Sequence, residues 1–341
     1  MRDFRANQEN RMKAQVLEAF GGPENFRLRD WPDPEPGPGE VLVEVAATSL
    51  NPAEYKIRSK GPAHAPELPA ILGFDVAGTV RALGAGVDAF AVGDEVYGCV
   101  GGLRGAPGTH AQWVACDARL LARKPRSLDM RHAAALPLVA ITAWEGLFDR
   151  ADLQPGERVL VHGGCGGVGH VALQLAAWRG ARVDTTVSSP QKAEIARSLG
   201  ASATIDYNAE SVEAYVERLT DGRGYDLVFD ATGGSDLGRS FAAARLNGRV
   251  VTIVSQYTAD LTPMHRKGLS LHVVFMLIPL LDGIGRGRHG EILHKVADLV
   301  DGGGLRPLLE PRRFRLEDLP DAHRHLESGQ AVGKVVIDVS V

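Results

Sequence analysis

The sequence is poor in cysteine, in excess charge of one sign and in long apolar runs. Only Cys99, Cys116 and Cys165 occur in 341 residues. An odd number of thiols, spaced neither as CxxC nor as a zinc finger, excludes a disulfide framework and reads as free thiols in a reducing cytoplasm. No stretch approaches the ~20 apolar residues of a membrane-spanning helix. The first residues are polar up to Arg11 and lack the apolar core of a signal peptide. Standing ahead of a second methionine, Met12, they read as a loose leader or an upstream start outside the folded unit. The formal charge of -4 provides no basic field for a nucleic acid or a membrane surface. No internal repeat or low-complexity segment is present. The partner implied is a small molecule.

What is there is an ordinary soluble composition, 44% apolar and 23% charged, in a chain long enough for two domains. From Lys13 to about Leu136, short β-branched runs at 41–45, 74–80, 95–100 and 111–115 alternate with glycines, and the Pro/Gly stretch 32–39 excludes helix. After Pro137 the period changes. Strands are predicted at 158–162, 182–187, 204–206, 226–230, 249–254 and 271–277, separated by helices over 168–179, 190–199, 212–219 and 236–246. Alternation of this kind makes a parallel sheet covered on both faces, an α/β fold. An irregular stretch over 279–287, helices over 290–300 and 316–328, and a strand over 334–339 close the chain.

Gly164-Cys165-Gly166-Gly167-Val168-Gly169 leaves a predicted strand and opens a predicted helix. Forty glycines will produce chance GxGxxG matches, but in this context the motif is a dinucleotide fingerprint. The first glycine makes the tight turn, the second admits pyrophosphate and the third lets helix pack on strand, while free N–H groups at the helix start receive the phosphates. The next strand ends near Val187 and is followed by Ser188-Ser189, with no acid at its tip for a ribose 2′-OH. Lys192, one helical turn on, and Tyr207, after the following strand, are placed for a 2′-phosphate. Asp184 has about the spacing of an NAD-binding acid, yet a strand ending there would be too short, which puts it mid-strand. NADPH is the favoured cofactor.

Three segments then come in a telling order: Asn51-Pro52-Ala53-Glu54-Tyr55-Lys56-Ile57-Arg58, Gly73-Phe74-Asp75-Val76-Ala77-Gly78, and Leu160 to Gly169. Together they resemble the zinc-free medium-chain dehydrogenases/reductases, in the quinone oxidoreductase (zeta-crystallin-like) branch. The resemblance implies a GroES-like β-rich catalytic domain from 12–137 and 278–341, with a Rossmann doubly wound NADP-binding domain over 138–277 inserted, and cofactor and substrate between them. It places Asn51 near the nicotinamide, Thr142, Ser255 and Phe275 around the nicotinamide pocket, and Ser188, Lys192 and Tyr207 at the adenosine phosphate. Gly164, Gly166, Gly167 and Val168 form the backbone cradle. An arginine that some members carry near the C-terminus is replaced by Gly329.

Zinc-bearing relatives put Cys where Asn51 stands and His-Glu where Phe74-Asp75 stand. No four-cysteine loop offers a structural zinc site, and His64, His110 and His162 read as surface or packing residues. No zinc is expected. The chemistry implied is zinc-independent hydride transfer from NADPH to a quinone or to an α,β-unsaturated carbonyl. Tyr55 and Lys56, on the loop after Asn51, are the candidate donors to the developing oxyanion. Enone or enal double-bond reduction proper, and a weakly catalytic NADPH-binding protein of the same fold, remain as alternatives; the missing ligands weigh against a metal-dependent alcohol dehydrogenase. Substrate choice rests on loops 62–70, 101–108 and 279–287. The apolar strand 271–277, at a sheet edge, implies a homodimer.

Overall fold

The computed structural model describes residues 11–234, 237–254 and 258–339. The chain divides into two compact units. One comprises the chain up to Leu138, Leu277–Asp301 and the residues from Leu309 on; the other comprises Val139–Met276 and Gly302–Leu308.

The first unit is β-rich and GroES-like. A seven-stranded sheet runs in the order Phe314–Arg315, Val336–Asp338, Glu40–Ser49, Asp75–Leu83, Glu95–Cys99, Leu121–Arg123, and Trp113–Asp117 also pairs with Glu40–Ser49. Glu40–Ser49 is its spine. Val41, Val43, Val45 and Ala47 alternate inward and are fully or almost fully buried, the period-2 burial of a half-covered strand. A smaller sheet pairs Arg11–Leu17 with Phe26–Pro32 and Ala70–Ile71.

Where a loop was expected after Asn51, the chain forms a helix over Pro52–Lys60. The start signals explain it. Asn51 stands in extended conformation at the cap, Pro52 takes the first turn, and the Glu54 carboxylate accepts the Asn51 N–H at 3.1 Å. Gly61, at φ 54°, ends it in the left-handed region. The stretch expected to be irregular likewise contains a helix, Ile278–Asp282, stopped by Gly283 at φ 72°.

The second unit is a Rossmann sheet of six parallel strands. Their order is Ala203–Asp206, Arg182–Val187, Arg158–His162, Tyr225–Asp230, Ala244–Thr252, Ser270–Val273. The order therefore reverses between Arg158–His162 and Tyr225–Asp230, the topological switch point where open α/β sheets bind ligands. Leu160, Ile205, Tyr225, Val228, Phe241 and Val250 form the core on one face.

Several boundaries differ from the sequence reading, two of them in this sheet for a visible reason. The helix expected to 246 ends at Ala243, because the next strand begins at Ala244 and bulges before Arg249, with Asn247 at φ 55°. The last strand stops at Val273, not 277.

Candidate active site

Glycine geometry shapes the turn after strand Arg158–His162 of the second unit. Gly163 turns the chain out of strand Arg158–His162 at φ 75°. A Cβ on Gly164 would stand 2.2 Å from Thr185 Oγ1, and one on Gly169 would stand 2.1 Å from the Gly163 carbonyl oxygen. Both positions exclude any side chain. Gly166 is exposed and caps helix Gly167–Trp178, with Val168 in its first turn. The first-turn N–H groups and the positive end of the helix dipole are of the kind that suits an anion. Sequence reasoning missed the residues that hold this turn. Thr186 Oγ1 accepts the Gly163 N–H at 3.0 Å, and Thr185 Oγ1 donates to the Val161 carbonyl at 2.7 Å.

Ser188, Lys192 and Tyr207 gather at the carboxyl ends of two neighbouring strands. Lys192 Nζ donates to Ser188 Oγ at 3.1 Å, Ser189 Oγ caps the Lys192 N–H, and the Tyr207 N–H donates to the Val187 carbonyl. Tyr207 is 47% exposed. Thr142 lies buried in helix Pro137–Trp144, Phe275 lies exposed just past the end of the last strand, and Ser255 falls outside the described residues.

Asp184 is settled by its burial. It is 1% exposed in the middle of strand Arg182–Val187, where Tyr225 Oη donates to its Oδ2 at 3.0 Å. It is therefore no ribose ligand. Burial, the dominant cause, raises its pKa against the opposing Tyr225 hydrogen bond. A carboxyl whose folded pKa exceeds the unfolded value stabilises fully below that unfolded value, and the contribution is lost as pH rises through the folded pKa. Asp184→Asn keeps the acceptor for Tyr225 and abolishes the ionisation. The variant is expected to gain stability over the parent as pH rises from 4 to 8 in thermal melts, with its NADPH/NADH preference unchanged. A gap that shrinks with rising pH, or a changed cofactor preference, would contradict the assignment.

In the first unit a buried polar network surrounds Asn51, which is 1% exposed. Its Nδ2 donates to Asp75 Oδ2 at 2.8 Å and to Glu54 Oε1 at 3.2 Å, and its Oδ1 accepts from Lys334 Nζ at 2.5 Å. Lys334 Nζ also donates to the Leu50 carbonyl at 2.9 Å and stands 3.4 Å from Asp75 Oδ2. Asp75 is fully occupied: Oδ2 further accepts from Ser49 Oγ at 2.7 Å, and Oδ1 from the Leu138 N–H at 2.8 Å. Lys334, unnoticed in the sequence, had one signal, a lone lysine at the head of the apolar run Val335-Val336-Ile337.

Tyr55 and Lys56 sit on the helix that Asn51 caps, both half-buried. Burial raises the Tyr55 pKa, with Glu327 adding to it, and burial lowers that of Lys56, with Lys60 adding to it.

Residues 37–126 match the alcohol dehydrogenase GroES-like domain family, and residues 199–337 match the zinc-binding dehydrogenase family. The NADPH-dependent alkenal/one oxidoreductase of Arabidopsis thaliana chloroplasts is 35% identical over 334 residues, 96% of this chain and 79% of that one. The quinone oxidoreductase of Pseudomonas aeruginosa is 35% identical over 327 residues, covering 94% of this chain and 97% of that one. Among solved structures, an alcohol dehydrogenase superfamily protein from Novosphingobium aromaticivorans superposes with a TM-score of 0.92 at 45% identity, covering 96% of this chain and all of that one.

Proposed function

Because the chain belongs to the medium-chain dehydrogenase/reductase superfamily, alongside quinone and alkenal/one oxidoreductases, we propose that it reduces quinones and α,β-unsaturated carbonyl compounds with NADPH and without catalytic zinc. The observation that carries the zinc-free reading is the donor set around Asn51. At the positions where zinc-bearing relatives place ligands, Asn51 and Asp75 have their oxygens committed to Lys334, Ser49 and Leu138. An ammonium already supplies the buried positive charge. These residues do not fit a zinc ion.

They do fit the dinucleotide. Gly164 and Gly169 leave no room for a Cβ, and the backbone at Gly164, Gly166, Gly167 and Val168 would take the pyrophosphate. Ser188, Lys192 and Tyr207 would hold the 2′-phosphate, and Thr142, Ser255 and Phe275 would line the nicotinamide side. Bound NADPH would supply the hydride. Tyr55 Oη and Lys56 Nζ would donate hydrogen bonds to the carbonyl oxygen as it gains charge, near the carboxamide of Asn51.

The test is NADPH oxidation against a panel of quinones, enones, enals and simple alcohols, repeated with NADH and with Lys192→Ala. Quinones or enones are expected to be reduced, NADPH to be preferred, and Lys192→Ala to weaken NADPH by about 1.5–3 kcal/mol, roughly tenfold or more. Alcohols turned over faster than every quinone and enone would overturn the reductase reading. Equal affinity for NADPH and NADH, or no loss in Lys192→Ala, would overturn the cofactor assignment.

The same reading covers assembly and setting. Strand Ser270–Val273 closes the parallel sheet at one edge, with Val273 and Phe275 each 44% exposed. An apolar edge of this kind is covered by a second copy in a homodimer. Light scattering at micromolar concentration should give twice the chain mass, and a monomer mass would refute it. Among the described residues no helix is long and apolar enough to cross a membrane. The three buried free thiols support a reducing cytoplasm, and the net charge of -4 supports a small-molecule rather than a nucleic-acid partner.

A further inference from the structure

Behind Asn51 lies a second cluster that the proposed chemistry does not use. Glu54 on helix Pro52–Lys60, His110 ahead of strand Trp113–Asp117, and His323 on helix Leu319–Glu327 are 1%, 0% and 0% exposed. One ligand-type atom from each lies within 4.8 Å of the other two. His110 Nε2 stands 3.1 Å from Glu54 Oε2 without the alignment of a hydrogen bond. Among the described residues, Glu54 Oε2 and both ring nitrogens of His110 and His323 have no hydrogen-bond partner. One such atom from each residue converges on a common point, and buried polar atoms left without a partner among the described residues call for an occupant.

The charges say which sign it carries. Asp75 faces Lys334, and Arg58 is paired with Glu327. Glu54 is the buried carboxylate left with only an amide and two imidazoles. Its Oε1 already holds Asn51, so Oε2 is the atom left for a cation. The Phe26 ring packs 5.0 Å from the His323 ring and 6.3 Å from that of His110, fixing both.

We propose that Glu54, His110 and His323 form a buried structural site for a divalent metal of the zinc class, which ties the C-terminal helix Leu319–Glu327 to helix Pro52–Lys60. Two imidazole nitrogens with one carboxylate oxygen suit zinc, cobalt or nickel rather than calcium or magnesium, which prefer all-oxygen cages. Bonds of about 2.0–2.1 Å in a tetrahedron require the ligand atoms to close to roughly 3.4 Å, a movement within reach of side-chain rotation. A metal here is distinct from catalytic zinc. It engages the oxygen of Glu54 that points away from Asn51, and it touches no residue assigned to the substrate.

The test uses the full chain after dialysis against chelator, without cofactor or substrate, so that its outcome is separate from that of the turnover assays. Zinc chloride is titrated against a chromophoric chelator, and cobalt binding is followed by its visible ligand-field bands. One ion per chain is expected, with a melting midpoint that rises on adding zinc. His323→Gln and His110→Gln should each weaken binding by about 100-fold or more. If either fails to fold, Glu54→Gln, which keeps the side-chain shape, replaces it with the same expectation. No ion bound at micromolar zinc, affinity unchanged in the variants, or a melting midpoint indifferent to zinc would overturn the proposal.

Discussion

Lys334→Met should cost about 3–5 kcal/mol of stability, the usual penalty for removing one partner of a buried ion pair. Lys334 is 2% exposed and Asp75 fully buried. The substitution keeps the aliphatic stem and deletes the charge. Asp75 would keep its bonds from Ser49, Asn51 and Leu138 but lose the ammonium beside it, and Asn51 Oδ1 and the Leu50 carbonyl would lose a shared donor. At this domain size the loss corresponds to a fall of roughly ten degrees in melting midpoint. Asp75→Asn alone should also destabilise, by stranding the ammonium. The double variant should recover part of the loss, because neither buried charge remains, and the cycle yields the coupling directly. A loss under about 1 kcal/mol in Lys334→Met, or simple additivity in the double variant, would mean the pair is not the charge-compensated centre described here.

That centre was barely legible in the sequence, and the reason is physical. Strand Arg158–His162 declared itself as a short apolar run and Arg182–Val187 as a β-branched run, each between turn residues, and the predicted bounds match those observed. Ser188 and Lys192 were equally readable, since the end of a strand and the first turn of the next helix are close in sequence and in space alike. Helix Pro52–Lys60 was not. Ile57 is its one fully buried apolar residue, so hydrophobic periodicity is silent, although Asn51, Pro52 and Glu54 spell out a helix start. Lys334 meets Asp75, and His323 meets His110 and Glu54, only through tertiary folding. No local pattern marks such pairs. A charged residue at the head of an apolar run signals that a partner exists without saying where.

The donor to the developing oxyanion separates Tyr55 from Lys56 by the size and the pH dependence of the effect. Hydride addition to an enone leaves a strongly basic enolate oxygen, whereas a quinone gives a delocalised, weakly basic one. A well-aligned donor is therefore worth more in the first case, and losing it costs on the order of 3 kcal/mol, about a hundredfold in kcat. If Lys56 Nζ is the donor, Lys56→Ala should show that loss with an enone and a smaller one with a quinone, while Tyr55→Phe changes little. The reverse pattern assigns the role to Tyr55 Oη. Burial moves the two groups in opposite directions. The Lys56 pKa lies below its ordinary 10.5, so enone turnover that depends on its ammonium should fall as pH rises before that value is reached. The Tyr55 pKa lies above its ordinary 10.0, so a phenol donor should carry the rate past that pH without loss. Rate profiles from pH 7 to 11, taken with both variants and both substrates, give two independent readings of the same donor. Disagreement between the variant and the pH profile, or less than a threefold change in either variant, would remove both side chains from the chemistry and assign oxyanion stabilisation to backbone N–H groups or water.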